Sequence, residues 1–124
     1  MLRRKVTDRL LNWKNNSHKA LLVTGARQIG KSYAIRAFGK DNYASYFEAN
    51  LLLDAEARDV LIGAKNAVDF INRVALLADA PLVEGDTLIF VDEIQEYPQI
   101  VTLMKALVED GRFSYVFSGS MLGD

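Results

Sequence analysis

The sequence contains no cysteine and only one histidine among its 124 residues. Without cysteine, neither a disulfide framework nor a cysteine-ligated zinc site can form. The single histidine, His18, excludes a histidine-rich metal site. No apolar run approaches the roughly 20 residues of a membrane span, and the first residues do not match a signal peptide. We therefore expect no membrane partner and, by default, a cytoplasmic location.

The composition is that of one globular domain, since half of the residues are hydrophobic and a quarter are charged. The net charge of −1 conceals a basic segment, because residues 1–19 carry six Lys or Arg side chains against Asp8 alone. Apolar residues recur in that segment at helical spacing, namely Leu2, Val6, Leu10 and Trp13. We expect residues 1–19 to form a basic amphipathic helix and residues 20–124 to form the core. A basic face is more often solvated than bound to nucleic acid, so that partner is an unsupported alternative.

Residues 25–32 read GARQIGKS, a complete G-x-x-x-x-G-K-[ST] sequence known as Walker A. The apolar run at residues 20–24 is typical of a buried strand, and the stretch from Lys31 to Phe38 favours a helix that we expect Gly39 to end. Strand, glycine loop and helix together are the structural context of a phosphate-binding loop. The alternative is an ordinary glycine-containing turn with an exposed Lys-Ser pair.

The residue types in this loop suit a nucleoside triphosphate. Glycines allow successive N–H groups to point at a phosphate, and the helix N-terminus adds its positive dipole. Lys31 would meet the β- and γ-phosphates, and the Ser32 hydroxyl would ligate Mg²⁺. The expected nucleotide contacts are Gly25, Ala26, Arg27, Gln28, Ile29, Gly30, Lys31, Ser32 and Tyr33.

A second motif consists of the apolar run at residues 88–91 followed by Asp92 and Glu93, a Walker B pattern. A continuous apolar run predicts a strand that is covered on both faces of a parallel sheet. Ligands of such sheets bind beyond the carboxyl ends of the strands, so the two carboxylates should lie beside the glycine loop. Asp92 would hold Mg²⁺, and Glu93 would act as general base towards water. Alternatively, both residues merely end the strand or cap the next helix.

Strand and helix signals alternate through the rest of the chain. They predict a strand at 43–50, a helix capped by Asp54 and running to Ile62, a helix from Asn66 to about Asp79, a helix from Pro98 to Gly111, and a strand at 113–117. Alternation of this kind implies a parallel sheet with right-handed crossovers.

Three segments, GARQIGKS, FVDEIQEYPQ and VFSGSMLG, resemble the AAA-type ATPase domain of a family of uncharacterised bacterial and archaeal ATPases. The resemblance implies a three-layer α/β P-loop NTPase fold with a parallel sheet of about four strands, in which the Ser118 strand lies between the loop strand and the Asp92 strand. It also implies ATP as the nucleotide, Glu93 as the hydrolytic base, and Ser120 as the sensor of the γ-phosphate, with Ser118 in reserve. From the residues alone, these serines could equally form a cap or turn.

The family pattern extends further, with a fifth strand, a helical lid and a C-terminal nuclease-like region, whereas this chain stops at Asp124. We therefore expect a fragment with an open sheet edge, prone to self-association, that binds ATP and hydrolyses it weakly or not at all. Arg58, Arg73 and Arg112 are the candidates for an arginine finger, although their spacing does not aim them at a phosphate.

Two other functions are compatible with the motifs. A P-loop kinase would transfer the phosphate to a small molecule, although the Asp92-Glu93 pair favours water. A non-hydrolysing switch would bind ATP only to change its partner contacts.

Overall fold

The computed structural model describes residues 2–16, 20–24 and 31–119. Helices and strands alternate along the chain as follows: α1 Leu2–Asn16, β1 Leu21–Thr24, α2 Lys31–Asn42, β2 Ser45–Asn50, α3 Ala55–Leu61, α4 Ala67–Leu77, β3 Thr87–Asp92, α5 Pro98–Asp110 and β4 Ser114–Gly119. Within these ranges, no helix has the length and hydrophobicity that crossing a bilayer requires. The α/β class that the alternation predicts is confirmed.

The described strands form one parallel sheet with the order β1-β4-β3-β2. Strand β4 therefore lies between β1 and β3, as the family resemblance implies. Each residue of β3 is buried, because this strand is paired on both edges and covered on both faces. The interpretation of residues 88–91 as a buried parallel strand is confirmed.

Helices cover both faces of the sheet. Alternate β3 residues enter two separate apolar clusters: Ile89 and Val91 pack on the side of α3, α4 and α5, whereas Leu88 and Phe90 pack on the side of α1 and α2. Side chains alternate between the faces of a strand, so Asp92 belongs to the α1 and α2 side. Trp13 and Leu10 attach α1 to that cluster.

Several predicted helix ends are confirmed in detail. The Asp54 side chain accepts a hydrogen bond from the Ala57 N–H, and the Asn66 side chain accepts one from the Asp69 N–H. Pro98 occupies the first turn of α5, and Gly111 ends that helix in the left-handed conformation with φ of 75°. These contacts satisfy backbone groups that helix ends leave unpaired.

The prediction that Gly39 ends α2 is wrong, because the helix continues to Asn42. Gly39 lies against the ring of Tyr46, where an added Cβ would be 2.5 Å from the tyrosine Cε1 and 3.0 Å from Leu88 Cδ2. The glycine is therefore a site of close packing between α2 and the sheet.

The boundaries of three elements also differ from the prediction. Strand β2 begins at Ser45 instead of residue 43, helix α4 ends at Leu77 instead of about Asp79, and β4 spans Ser114–Gly119 instead of residues 113–117. Tertiary pairing decides these ends: for example, Ser45 donates its N–H to the Asp86 carbonyl, beside the start of β3.

Candidate functional site

The elements that carry the sequence motifs meet at the carboxyl edge of the sheet. Strand β1 leads into residues 25–30, and α2 starts directly after them at Lys31. Strand β3 ends at Asp92, and β4, which separates it from β1, ends at Gly119. Parallel strands bring their carboxyl ends to one edge, which is where ligands of such sheets bind.

The Ser32 hydroxyl donates a hydrogen bond to Asp92 Oδ2 at 3.1 Å, across 60 residues of sequence. The other carboxylate oxygen, Asp92 Oδ1, accepts the backbone N–H of Glu93 at 2.9 Å. Only 6% of Asp92 is exposed. Both oxygens of this buried carboxylate are therefore held in place, and one of them faces the first turn of α2.

Lys31 is also buried, with 8% of its surface exposed. Among the described residues, no carboxylate forms an ion pair with it. Removing an ammonium group from water is costly unless an opposite charge compensates it. The first turn of a helix is in addition a favourable position for an anion. Lys31 and the start of α2 therefore suit a phosphate.

Glu93 lies directly after β3, before the turn at Gln95 and Glu96, and is 7% exposed. Its φ of 61° is in the left-handed region, which costs a residue other than glycine about 1 kcal/mol or more. Backbone hydrogen bonds hold the main chain on either side of Glu93. The Leu51 N–H donates to the Asp92 carbonyl, and the Ile94 N–H donates to the Ser118 carbonyl, each at 3.0 Å. The main chain at Glu93 is therefore fixed.

Gln95 contacts the Glu93 side chain, and the sequence reasoning did not predict this contact. Gln95 Nε2 donates a hydrogen bond to Glu93 Oε1 at 2.8 Å. In the sequence, Gln95 is only one residue of the segment FVDEIQEYPQ that carries the family resemblance. The available signal was an amide two residues after the proposed base, which is too weak to predict a contact without the turn geometry.

The proposed sensor, Ser120, lies outside the described residues, as do Gly25, Ala26, Arg27, Gln28, Ile29 and Gly30 of the glycine loop. The reserve sensor, Ser118, is fully buried in β4. Its Oγ has no hydrogen-bond partner within the described part of the chain. Tyr33 lies in the first turn of α2 and is 53% exposed.

The three arginines considered as finger candidates are each held by a neighbouring carboxylate. Arg58 pairs with Asp59, Arg73 with Asp69, and Arg112 with Asp110. Arg73 also donates to the Val60 carbonyl at 2.8 Å. These contacts explain the three side chains without a phosphate.

The oxygen atoms of Ser32 and Asp92 fit Mg²⁺, which prefers hard oxygen donors. In the described ranges no group of three or more His, Cys, Asp or Glu side chains could hold a metal by itself. Mg²⁺ does not need such a cage, because it is usually bound through one or two carboxylates together with substrate phosphates and water. The donor set therefore fits Mg²⁺ that arrives with a nucleotide.

The parallel sheet, its strand order and the helix that starts at Lys31 place the chain in the class of P-loop NTPase-like α/β domains. A family model described as AAA domain matches residues 17–124, and the chain belongs to this family. No curated protein matches it. Membership of the AAA family makes the chain a nucleotide-binding domain of the ATPase type.

Proposed function

We propose that the chain binds ATP with Mg²⁺ at the carboxyl edge of the sheet and hydrolyses the γ-phosphate slowly, with Glu93 as general base. The observation that carries this proposal is the 3.1 Å hydrogen bond between Ser32 and Asp92. It joins the end of the Walker A sequence to the first carboxylate of the Walker B sequence, which is the pairing that a Mg²⁺-nucleotide site needs.

Different groups of the site bind different parts of the Mg²⁺-triphosphate. Backbone N–H groups of residues 25–30 and the start of α2 cradle the phosphates, and the Lys31 ammonium compensates the charge of the β- and γ-phosphates. Ser32 and Asp92 hold Mg²⁺, which when bound neutralises charge on the phosphate oxygens. Hydrogen bonds position the Ser32 hydroxyl and both Asp92 oxygens.

Glu93 supplies the base for the chemical step. Its carboxylate accepts a proton from water, the water oxygen forms a bond to the γ-phosphorus, and the bond from that phosphorus to the bridging oxygen breaks. ADP and inorganic phosphate are the products. Ser120 senses the γ-phosphate, with Ser118 as the alternative. The backbone hydrogen bonds on either side of Glu93 support this role, because a general base must be held within reach of the proton that it removes.

Phosphate release from Mg²⁺-ATP under single-turnover conditions tests the proposal, with Glu93→Gln as the variant. Glu109→Gln is the matched control, because Glu109 is an exposed glutamate of α5. We expect Glu93→Gln to bind ATP normally and to release phosphate about 10²- to 10⁴-fold more slowly. The Glu109→Gln variant should keep the wild-type rate.

Two results would support other functions. Equal turnover by wild type and Glu93→Gln, with normal ATP binding, would favour a switch that does not hydrolyse. Transfer of the phosphate to an added small-molecule acceptor, with no free phosphate, would favour a kinase.

A further inference from the structure

The contact between Gln95 and Glu93 involves the Glu93 carboxylate, whereas the backbone hydrogen bonds nearby hold only the main chain. Leu51 and Ser118 hold the backbone on either side of Glu93, but these bonds do not reach its carboxylate. Gln95 Nε2 does, at 2.8 Å from Glu93 Oε1. The glutamine side chain therefore restrains the part of Glu93 that would meet water.

The chemistry of the amide determines that its NH₂ group, and not its carbonyl, faces the Glu93 carboxylate. An ionised carboxylate only accepts hydrogen bonds, whereas an amide has a donating NH₂ group and an accepting carbonyl. Turning the amide around would place the Gln95 carbonyl against the Glu93 carboxylate, two acceptors with no proton between them. Glu93 thus directs the Gln95 carbonyl oxygen away from itself.

That carbonyl oxygen is buried and has no hydrogen-bond partner in the part of the chain that the structure describes. A buried acceptor of this kind is normally satisfied by an ordered water when no protein group is in reach. The unsatisfied Gln95 carbonyl oxygen therefore indicates a bound water at this position.

A cavity of about 40 Å³ adjoins the pair and is lined by Leu52, Glu93, Gln95, Glu96 and Tyr97. One water needs roughly 10–15 Å³ of such space, so the cavity accommodates one to about three waters. Both Glu93 and Gln95 line it, and both can accept a hydrogen bond from its contents. The cavity is large enough for a water, and Glu93 and Gln95 supply polar partners for it.

We propose that Gln95 is a positioning residue for the hydrolysis proposed above, on which this inference rests. Its amide N–H holds Glu93 Oε1, and its carbonyl accepts a hydrogen bond from a water in the cavity. The Glu93 carboxylate takes the proton of the attacking water. The hydrated cavity receives that proton from Glu93 after phosphate has formed, which returns the carboxylate for the next turnover.

The test is a double-mutant cycle of Gln95→Met and Glu93→Gln, measured as single-turnover ATP hydrolysis and as ATP affinity. Methionine keeps the length of glutamine but removes both hydrogen-bonding groups. Gln99→Met is the matched control, because Gln99 is exposed in the first turn of α5. We expect Gln95→Met to slow hydrolysis about 10- to 100-fold, the factor that loss of a hydrogen bond to a charged group represents. ATP affinity should stay within about twofold, since the lost contact is not to the nucleotide.

The cycle separates positioning from a general structural effect. If Gln95 acts through Glu93, then Gln95→Met has no further effect on hydrolysis in the Glu93→Gln background. Additive losses, or unchanged hydrolysis by Gln95→Met while Glu93→Gln is slow, would overturn the inference and leave the proposed function standing. A wild-type rate equal to that of Glu93→Gln would instead overturn the proposed function and this inference with it.

A second readout does not require turnover. The side-chain amide protons of Gln95, assigned by their loss in Gln95→Met, should resonate upfield in Glu93→Ala, because the hydrogen bond to a carboxylate is removed. The Gln99 amide should not move. An unchanged Gln95 resonance would contradict the contact itself.

Discussion

The Ser32 hydroxyl and the Asp92 carboxylate are hydrogen-bonded at 3.1 Å, between the first turn of α2 and the end of β3. The two elements are far apart in sequence, and strand β4 lies between β3 and β1, the strand that precedes α2. The sheet order therefore sets this distance. Two oxygen donors that fit Mg²⁺ therefore lie side by side at the carboxyl edge of the sheet.

Replacement of Asp92 by Asn should remove most of the Mg²⁺ dependence of ATP binding. The amide is nearly isosteric but carries no charge, so it holds a metal-bound water more weakly than the carboxylate does. We expect ATP affinity in Mg²⁺ to fall about 10- to 100-fold, the range of a hydrogen bond to a charged group. Calorimetric titration with and without Mg²⁺ measures this effect.

Asp41→Asn is the control for that change, because Asp41 is exposed on α2 and loses the same charge. Its Mg²⁺ dependence should equal that of wild type. If Asp92→Asn also kept the full Mg²⁺ dependence, Asp92 would have no part in holding the metal.

Gly39→Ala should destabilise the fold, although alanine is the better helix former. In an open helix this exchange gains about 0.5–1 kcal/mol. Here the new Cβ would lie 2.5 Å from Tyr46 Cε1, so the ring or the helix must move. We expect a net loss of about 1–2 kcal/mol, because overpacking a close contact costs about 1–3 kcal/mol. Urea unfolding measures the loss.

The second half of this test is the double variant Gly39→Ala with Tyr46→Ala. Without the ring, the added methyl group has room, and Gly39→Ala should become neutral or stabilising in that background. Equal destabilisation in both backgrounds would show that the Tyr46 contact is not the reason for glycine at this position.

Stability should depend on pH through Glu48, which links β2 to α2. Burial raises the pKa of this carboxyl, but hydrogen bonds from Arg36 at 2.7 and 2.8 Å and from Tyr46 at 2.7 Å outweigh it and leave the pKa below its ordinary value. A depressed pKa in the folded state contributes stability that is present above the unfolded pKa of about 4.3. This contribution is lost as the pH falls through the folded pKa.

Arg36→Met should therefore flatten the acid limb of the stability profile and lower stability at neutral pH. The variant leaves a half-buried carboxylate without its cation, which we expect to cost about 1–3 kcal/mol. Unfolding free energies between about pH 3 and pH 7 measure both effects. Arg58→Met is the control, since its partner Asp59 is exposed. An acid limb as steep in Arg36→Met as in wild type would contradict the assignment to Glu48.

The fold and the position of the site were predictable because they depend on local signals and on topology. The apolar run at residues 88–91 predicts a strand buried on both faces, and the caps at Asp54 and Asn66 predict helix starts, each confirmed in the structure. The family resemblance supplied the order of the strands. Asp92 was expected to lie beside the glycine loop because both follow the carboxyl ends of parallel strands.

The contacts that Gly39 and Gln95 make were not predictable from the sequence. Gly39 looks like a helix end in sequence, because nothing local announces that Tyr46 occupies the space of its Cβ. Gln95 follows Glu93 by two residues, and the left-handed backbone conformation of Glu93, which the sequence does not signal, lies between their contacting side chains. Self-association, a nuclease-like region and a cytoplasmic location stay predictions.

The central claim is that Lys31 and the loop before it bind the phosphates of ATP, and calorimetric titration of Lys31→Ala with Mg²⁺-ATP tests it most directly. Lys40→Ala is the matched control, an exposed lysine near the other end of the same helix. We expect wild type and Lys40→Ala to bind with the same affinity, and Lys31→Ala to show no measurable binding while it keeps its fold by circular dichroism. Tight binding of Mg²⁺-ATP by folded Lys31→Ala would contradict the account.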